Sequence, residues 1–489
     1  MQVTTIFLLI LALPFVGILI LLFIPKVYTK LLYSIALFIS NIVFLLSLLL
    51  WIFYDNRSSY FQFVVNCKWF SHITYTLGID GISLFFILLL SLLCSICILV
   101  GINTINNLLK EYLIFFLLLE GFLIQIFCVL DLFFFYIFFE SVLIPMFLII
   151  GIWGSRERKI KAAYQFFIYT LIGSLLMLIA ILFIYLDAGT TNFQVLMYSD
   201  FTKKQQLVFW LAFFASFAVK IPMIPFHIWL PEAHAEAPTA GSVILAGILL
   251  KLGGYGFIRF SLNLFPEASF YFTPLIYTLS VVGTLYASLT TLRQVDFKKV
   301  IAYSSVAHMS YVTLGLFSFN IQAIEGCILL MLGHGLVASS LFLSIGMLYD
   351  RYKTRLIKYY GGLAQMMPIH AIMFMFFTFS SIAFPGTCNF VGEFLVLIGL
   401  FQYSSLTTVF ACTGMLIGAG YSVWLYNRIY FGNWKDCYIF KFQDVSRREF
   451  WIFFPLVFNI LWMGLFPNVF LETLHNSVLN LLINLIGKI

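Results

Sequence analysis

The chain has 489 residues, of which 62% are hydrophobic and only 10% are charged, and its mean hydropathy is +1.04. Soluble domains carry about 25% charged residues, so too few polar side chains are present here to cover a water-exposed surface. The formal net charge of +7 is spread along the chain without a basic cluster rich in aromatic residues, which excludes a nucleic-acid-binding protein. The composition therefore predicts a membrane protein.

Fourteen segments of the chain are apolar enough to cross a membrane as helices. One crossing needs about 20 predominantly apolar residues. The alternating segments of about ten residues that are typical of a transmembrane β-barrel are missing from the sequence. We therefore predict an all-α, polytopic membrane protein with about 14 transmembrane helices. The predicted spans are 4–24, 31–53, 81–102, 111–130, 132–152, 163–186, 207–230, 240–263, 274–292, 299–318, 323–349, 369–399, 405–427 and 451–471.

The basic residues support this number of spans, because they sort to one side of the predicted membrane. If the N-terminus lies on one face, side A, then nineteen Lys and Arg residues fall in loops on the opposite face, side B, and five fall on side A. Positively charged residues collect on the inner side of a membrane. A missed or an extra span would destroy this sorting, so side B is predicted to be the inner side.

Two predicted spans contain helix-breaking residues. Pro222 and Pro225 follow Lys220 in the seventh span, and Pro385 with Gly386 interrupts the twelfth. Proline removes an amide donor, and unwound backbone at membrane depth persists only where it is buried in protein or lines a wet cavity. Paired interrupted helices indicate an inverted-repeat transporter. An ordinary proline kink is the alternative interpretation.

The broken helix is the fourth span in each of two groups of five spans, and the second group starts on the opposite side of the membrane. This pattern predicts two inverted five-helix repeats. The predicted domains are 1–110 with helices 1–3, 111–263 as the first inverted repeat with helices 4–8, 274–427 as the second with helices 9–13, and 428–489 with the C-terminal loop, helix 14 and tail.

Six titratable side chains lie near the midpoints of six predicted spans. A charged group at mid-membrane costs at least ~2.5–3.5 kcal/mol on insertion scales and usually signals function. All six fall within ~3 Å of one depth at the rise of an α-helix, which predicts a polar row that holds or passes protons. A set of structural ion pairs is the alternative. The residues are Glu120, which we treat as an accessory member, Glu140, Lys220, Lys251, His308 and His334.

The stretch from His227 to Thr239 is the most polar short segment near the inner side. It predicts a proton inlet or a re-entrant elbow, with a plain polar loop as the alternative. His227 is the member that we expect to face the interior. Glu325, at the end of a predicted span, is expected to be solvated or interfacial. No phosphate loop, haem-attachment motif or zinc signature is present, so we predict that the chain itself binds no redox cofactor and no metal.

Several of these residues stand in motifs that resemble the antiporter-like membrane subunits of respiratory complex I. The resemblance covers essentially the whole chain, and Leu77-Gly-Ile-Asp80-Gly-Ile-Ser-Leu-Phe-Phe is similar to the plant, algal and protist mitochondrial forms. The motifs are Phe-Glu140-Ser-Val-Leu-Ile-Pro145-Met, the stretch from Ala218-Val-Lys220 to Ala237-Pro238-Thr239, Leu-Leu-Lys251-Leu-Gly-Gly-Tyr-Gly, Ile301-Ala-Tyr-Ser-Ser-Val-Ala-His308-Met, Gly333-His334-Gly335-Leu and Gly392-Glu393-Phe.

The resemblance implies roles for the members of the row. Glu140 and Lys220 would form the interacting acid–base pair of a first half-channel, and Lys251 would be the central proton carrier. His334 would continue the row, and Glu393 would end it toward the next subunit. Two further residues, His227 and His308, would be accessory members. Glu393 lies nine residues past the midpoint of its predicted span, so the break at Pro385 would have to return it to mid-depth.

The resemblance also implies a function. The chain would be a proton-translocating membrane-arm subunit of NADH:ubiquinone oxidoreductase, an enzyme whose NAD, FMN, iron–sulfur clusters and ubiquinone are bound by other subunits. Glu393 stands where the related subunits 2 and 5 typically carry lysine, and those two subunits would be its neighbours, together with membrane lipids. The location implied is the mitochondrial inner membrane, with a bacterial plasma membrane as the alternative. Two other functions stay open: a subunit of a multi-subunit cation/proton antiporter, and a structural membrane-arm subunit that pumps nothing.

Overall fold

The structure is a computed structural model that describes residues 2–70, 73–105, 107–435 and 443–487. Within these residues, twelve helical stretches are long and apolar enough to cross a membrane. The prediction of a mostly helical membrane protein is therefore confirmed. Lys441 and Lys488, which were counted among the basic residues of sides B and A, lie outside the described residues.

The helices follow one another with short connections. The first group is α1 Gln2–Phe23, α2 Thr29–Phe53, α3 Gly81–Thr104, α4 Leu109–Cys128, α5 Leu132–Ser141, α6 Leu143–Trp153 and α7 Lys159–Ala188. The second group is α8 Phe193–Leu196, α9 Lys203–Lys220, α10 Trp229–Glu236, α11 Thr239–Ile244, α12 Leu250–Gly256, α13 Leu262–Leu264 and α14 Pro266–Tyr271. The third group is α15 Thr273–Leu292, α16 Phe297–Leu316, α17 Ile321–Tyr352, α18 Leu363–Met366, α19 Pro368–Ser381, α20 Cys388–Tyr403, α21 Ser405–Tyr430, α22 Arg447–Leu465 and α23 Asn468–Ile486.

Both predicted breaks are confirmed. In the seventh span α9 ends at Lys220, and the chain turns before α10 begins at Trp229. In the twelfth span α19 ends at Ser381, and α20 begins at Cys388. Proline supplies the cause in each case, because its ring prevents the regular hydrogen bond of the helix.

Two further spans are irregular, and neither was predicted to be so. The fifth span is interrupted between α5 and α6, directly after Glu140, where Pro145 leaves the carbonyl of Ser141 without its helical donor. The eighth span contains two π-helical segments, Leu245–Leu249 and Phe257–Ser261, which enclose α12. Such π segments occur mostly at functional sites in helices, and here Lys251 lies between them.

An antiparallel hairpin joins α2 to α3 on side A, an addition to the predicted all-α fold. Its strands are β1 Gln62–Phe70 and β2 Ile73–Ile79, with Asn66 opposite Thr76. Tyr75 donates a hydrogen bond of 2.5 Å to Oε1 of Gln125 on α4, which fixes the hairpin to the bundle. The strands are too short and too polar to cross a membrane, so they do not alter the predicted spans.

The C-terminal tail, which was predicted to follow helix 14, forms helix α23. Its side chains meet the side A ends of other elements along its length. Nδ1 of His475 lies 2.7 Å from Oε1 of Glu325, Ser477 accepts a hydrogen bond of 3.1 Å from the amide of Gly81, and Asn480 donates to the carbonyl of Ser59. These partners place α23 against the predicted side A ends of other helices, although it is long and apolar enough to cross. Glu325 is covered by α23 and buried, which contradicts the solvated alternative and leaves the interfacial one open.

A buried ion pair joins the start of α3 to the end of the eighth span. Nη2 of Arg259 lies 2.6 Å from Oδ1 of Asp80, and both side chains are buried. Asp80 also caps α3 by accepting from the amide of Ser83, and Arg259 donates to the hydroxyl of Tyr255. Burial acts to raise the pKa of Asp80, but the charge of Arg259 and the hydrogen bonds from Arg259 and Ser83 together outweigh it and hold that pKa below its usual range.

We expect Asp80→Asn to destabilise the protein by about 3–5 kcal/mol, because it leaves Arg259 as a buried charge without a counter-ion. Asparagine is as good a helix cap as aspartate, so the capping of α3 is kept. The thermal unfolding midpoint of the detergent-solubilised protein measures the effect. Asp55→Asn, on an exposed loop, is the matched control. Equal midpoints for the two variants would contradict the prediction.

Helices α17 and α20 pack backbone to backbone through glycines, and this contact fixes the height of α20 beside α17. A Cβ added at Gly392 would lie 2.7 Å from the backbone nitrogen of Leu330, and one at Gly399 would lie 2.9 Å from that of Ala323. Neither backbone can yield at such distances without moving a whole helix. The glycines therefore hold His334 of α17 and Glu393 of α20 at fixed relative positions.

We expect Gly392→Ala to lower stability by about 1–3 kcal/mol, because the added methyl group forces α17 and α20 apart. The same substitution at Gly420 of α21 is the control, since no atom lies within 4 Å of the Cβ it would add. The unfolding midpoints of the two variants measure the difference. A Gly392→Ala protein as stable as the Gly420→Ala protein would show that the close packing of α17 and α20 is dispensable.

Candidate functional site

Lys251 lies at the centre of the bundle and contacts a histidine of another helix. Its Nζ is 2.8 Å from Nδ1 of His334 and donates a hydrogen bond of 2.5 Å to the carbonyl of Ala246. Both side chains are buried, with exposed fractions of 0% and 2%. Ala246 belongs to the first π segment, whose wider turn changes which carbonyl groups accept hydrogen bonds from amides of the same helix. The irregular helix thus supplies an acceptor for the amine of Lys251.

His308 and Glu393 form a second hydrogen-bonded pair beside the first. Nδ1 of His308 lies 3.0 Å from Oε1 of Glu393, and both side chains are buried. The rings of His308 and His334 have centroids 5.5 Å apart. The break at Pro385 lets α20 start at Cys388, so Glu393 is in its second turn and reaches the histidine. The structure therefore brings Lys251, His334, His308 and Glu393 together in one row, with His308 between His334 and Glu393.

Glu140 and Lys220 interact through space without direct contact. Nζ of Lys220 is buried, has no hydrogen-bond partner and lies 4.6 Å from the ring centroid of Phe139. Oε1 of Glu140 is likewise buried and unpaired. The two charges still act on each other electrostatically, and the hydroxyl of Ser174 interacts with the carboxylate. The acid–base pair implied by the resemblance is therefore not joined by a direct hydrogen bond or ion pair in this structure.

Glu120 is separate from the lysines. Its side chain is fully buried in α4, and neither carboxylate oxygen has a hydrogen-bond partner. Its charge acts on the thiol of Cys94 on α3. Among the described residues, Glu120 is therefore a buried carboxyl group without an ion-pair partner.

In the polar stretch from His227 to Thr239, His234 lies in the interior as well as His227, the member expected there. The ring of His234 is fully buried and stacks on Phe342 with centroids 4.6 Å apart, and both ring nitrogens lack partners. His234 also interacts electrostatically with Lys251. His227 is buried as well, but it packs between the rings of two tyrosines. The alanines on either side of His234 are the feature of the sequence that could have indicated its close packing.

Charged residues of the inner face extend into the bundle beside His234. Nζ of Lys298 donates to the carbonyl of Ala237 at 2.6 Å, and Nη2 of Arg355 lies 3.4 Å from Oε1 of Glu236. Lys298, Arg355 and Glu236 are all at most 3% exposed. Lys298 and Arg355 are among the basic residues that sort to the predicted inner loops, and nothing in their local sequence distinguishes them from solvated ones. A buried charged cluster therefore lies on side B of His234.

The arrangement suits proton transfer more than binding of a small molecule. In each of the two pairs an imidazole lies at hydrogen-bonding distance from an amine or a carboxylate, and histidine can both donate and accept a proton near neutral pH. Across the described residues, no group of three or more His, Cys, Asp and Glu side chains is arranged to hold a metal ion. Buried ionisable groups of this kind in a membrane protein mark ion pathways and proton relays.

Known proteins are similar to this chain in sequence and in fold. The family model for the transmembrane region of NADH:quinone oxidoreductase/Mrp antiporters matches residues 129–418. NADH-ubiquinone oxidoreductase chain 4 of Chondrus crispus is 64% identical over 471 residues, which is 96% of each chain. The chain 4 proteins of Marchantia polymorpha and Arabidopsis thaliana are 60% and 58% identical, each covering 96% of this chain and 95% of the relative.

Chains in solved structures are similar to this chain in fold. A chain in respiratory complex I from Thermus thermophilus with bound NADH superposes with a TM-score of 0.89 at 29% identity, covering 98% of this chain and 99% of that one. A chain of the Mrp complex from a Dietzia species gives a TM-score of 0.85 at 19% identity, covering 97% of each chain, and shows likeness of fold alone. The chain belongs to the NADH:quinone oxidoreductase/Mrp antiporter membrane-subunit family.

Proposed function

We propose that the chain is a proton-translocating membrane-arm subunit of an NADH:ubiquinone oxidoreductase. The observation that carries the proposal is the buried row of Lys251, His334, His308 and Glu393, whose neighbouring groups lie 2.8 Å and 3.0 Å apart within each pair. Structural ion pairs need opposite charges in contact, but Lys251 contacts a histidine, and Lys220 has no partner. Nearly full-length relatives named NADH-ubiquinone oxidoreductase chain 4 support the choice of complex.

Proton movement in this proposal begins at Lys251. A donor–acceptor distance of 2.8 Å is within the range for direct proton transfer, so a proton on Lys251 passes to His334 when Nδ1 of the ring carries its lone pair. The proton then reaches His308 when an imidazole turns or a water molecule bridges the two rings, and His308 passes it to Glu393 across their hydrogen bond. Because Glu140 and Lys220 are not locked in a direct pair, a small movement changes their interaction and with it the electrostatic potential at Lys251. Electron transfer in other subunits supplies the energy for that movement.

The proposal includes a topology with fourteen membrane crossings. Eleven of the twelve long apolar stretches cross, and α23 lies along side A. The three additional crossings are α9, α16 and the pair α19 with α20. The domains proposed are 1–110, the inverted repeats 111–263 and 274–427, and the C-terminal part 428–489. The fourth helix of each repeat is then broken by proline, and the first repeat has a further interruption at Pro145.

The partners proposed are the other membrane-arm subunits of the complex, with the antiporter-like subunits 2 and 5 as neighbours of the two ends of the row. NAD, FMN, iron–sulfur clusters and ubiquinone are assigned to partner subunits, and the redox-active residues belong there as well. The proposed location is the mitochondrial inner membrane, which the nearly full-length similarity to NADH-ubiquinone oxidoreductase chain 4 of Chondrus crispus and Arabidopsis thaliana supports.

Purification of the native complex through a tag on this chain tests the proposal. We expect flavin, iron–sulfur clusters and NADH-dependent quinone reductase activity to co-purify with the chain. We also expect NADH oxidation to change the pH inside sealed vesicles that contain the complex. A complex that exchanges a metal cation for protons and contains no flavin would instead identify a cation/proton antiporter, which the shared fold of the Mrp chain keeps open. A complex with reductase activity whose pumping is unaffected by Lys251→Met would make the chain a structural subunit.

A further inference from the structure

A buried carboxamide with an unpaired nitrogen lies in the first turn of α20. The side chain of Asn389 is fully buried, its Oδ1 accepts from the thiol of Cys388 at 3.8 Å, and its Nδ2 has no hydrogen-bond partner. The other buried asparagine in the described part of the chain, Asn263, donates from Nδ2 to the carbonyl of Ile258 at 2.9 Å. An unpaired buried polar group in a native protein points to a catalytic role or to bound water. Asn389 is therefore a functional candidate.

The packing of α17 against α20 places this carboxamide next to both hydrogen-bonded pairs of the row. A Cβ added at Gly333 would lie 2.7 Å from Oδ1 of Asn389, so the missing side chain at Gly333 lets the carboxamide approach α17. Gly333 directly precedes His334. On α20, Asn389 lies four residues before Glu393, and residues four apart face the same side of a helix. Because Glu393 contacts His308 at 3.0 Å, the carboxamide is flanked by both pairs.

The partners of the two histidines decide which ring nitrogen carries a hydrogen. A charged lysine can only donate, so Nδ1 of His334 accepts from Lys251 and the hydrogen of the neutral ring is on Nε2. A carboxylate can only accept, so Nδ1 of His308 donates to Glu393 and its Nε2 is left as an acceptor. That acceptor is buried and has no partner. The remaining ring nitrogens are thus a donor on His334 and an acceptor on His308.

We propose that Asn389 is a positioning residue for the proton step from His334 to His308, and that its Nδ2 holds one water molecule between the two rings. The role rests on the proposed function, since it requires that protons move along the row. The centroids of the rings are 5.5 Å apart, a separation that two hydrogen bonds of about 2.8 Å can bridge. The water accepts from Nδ2 of Asn389 and from Nε2 of His334, and it donates to Nε2 of His308.

The proton step through this water is balanced. After Lys251 gives its proton to Nδ1 of His334, the ring releases the proton on Nε2 to the water. The water gives one of its own protons to Nε2 of His308 and is left unchanged. His308 then passes the proton on Nδ1 to Glu393. The carboxamide of Asn389 is not among the groups that titrate in proteins, so it orients the water without exchanging a proton.

A matched pair of substitutions separates the hydrogen bond from packing. Threonine and valine are both β-branched and have nearly the same shape, but only threonine has a hydroxyl group that can hold a water molecule. We expect Asn389→Val to reduce NADH-driven pumping by the reconstituted complex about tenfold or more, and Asn389→Thr to keep about half of it or more. Asn459→Val, on α22 outside the row, is the control and should pump normally.

A density map of the intact complex, at a resolution that shows ordered water, gives a second measurement that does not depend on activity. We expect density within hydrogen-bonding distance of Nδ2 of Asn389 and Nε2 of His308. This density should be missing in Asn389→Val. A map of the unmodified complex without such density would overturn the proposal, and it decides the question if neither variant at Asn389 assembles.

The pumping assay has three outcomes that contradict the role of Asn389. Equal losses in Asn389→Val and Asn389→Thr would assign the residue to packing, and normal pumping by both would make it dispensable. Lys251→Met, measured beside them, distinguishes this failure from failure of the proposed function. If Lys251→Met stops pumping while both variants at Asn389 pump normally, only the role of Asn389 is wrong. If Lys251→Met pumps normally, the proposed function fails and the role of Asn389 fails with it.

Discussion

Lys251→Met should reduce proton pumping by the reconstituted complex at least about tenfold, because it removes the group that contacts His334 at the centre of the row. Methionine has nearly the length and volume of lysine, so the packing of α12 is kept. The carbonyl of Ala246 loses one donor, which costs about 1 kcal/mol and leaves the fold intact. Pumping is measured as the fluorescence quench of a pH-sensitive dye in sealed vesicles after addition of NADH and quinone.

Lys204→Met, on the exposed start of α9, is the control for loss of a lysine. It should pump at the level of the unmodified complex. A Lys251→Met complex that assembles fully and pumps as well as the Lys204→Met complex would exclude Lys251 as a proton carrier. His334→Gln is a second variant at the other end of the same hydrogen bond, and it should show a loss similar to that of Lys251→Met.

Glu140→Gln should also reduce pumping about tenfold or more, although Glu140 lies outside the hydrogen-bonded row. The substitution keeps the shape of the side chain and removes only its charge. Because Glu140 acts on Lys220 through the electric field and not through a direct bond, the loss of either charge ends the interaction. The double variant with Lys220→Ala should therefore pump no worse than the more impaired single variant, which double-mutant analysis of vesicle pumping measures.

Glu157→Gln, in an exposed loop of side B, controls for the loss of a carboxylate and should leave pumping unchanged. Survival of full pumping in Glu140→Gln with Lys220→Ala together would show that the pair has no part in proton transfer. Losses that simply multiply would mean that the two residues act independently, which contradicts the coupling proposed for them.

The broken helices could be predicted from the sequence because proline acts locally. Pro222 and Pro385 prevent helical hydrogen bonds wherever they stand, so both breaks were evident before the structure. The π segments that enclose Lys251 could not be predicted, since no residue in them prohibits an α-helix. They depend on how the eighth span packs between its neighbours. The acceptor that Ala246 offers to Lys251 is therefore a property of the folded bundle.

The members of the row could be selected by depth, but their contacts could not. Depth along a span follows from counting residues, and it selected His308 and His334 correctly as interior groups. The partner of each residue depends on the rotation of its helix, which apolar spans without amphipathic pattern do not reveal. For this reason His234 was passed over in favour of His227, and the close pairing of His308 with Glu393 was not foreseen.

The two histidines at the centre of the row have a consequence for proton movement. No hydrogen bond joins His308 to His334, and Nε2 of His308 is buried without a partner. The row thus consists of two hydrogen-bonded pairs that no hydrogen bond joins to each other. For a proton-translocating subunit, charge passes between His334 and His308 only while an imidazole turns or a water molecule enters. Proton movement along the row is therefore interrupted at its centre until one of these events occurs.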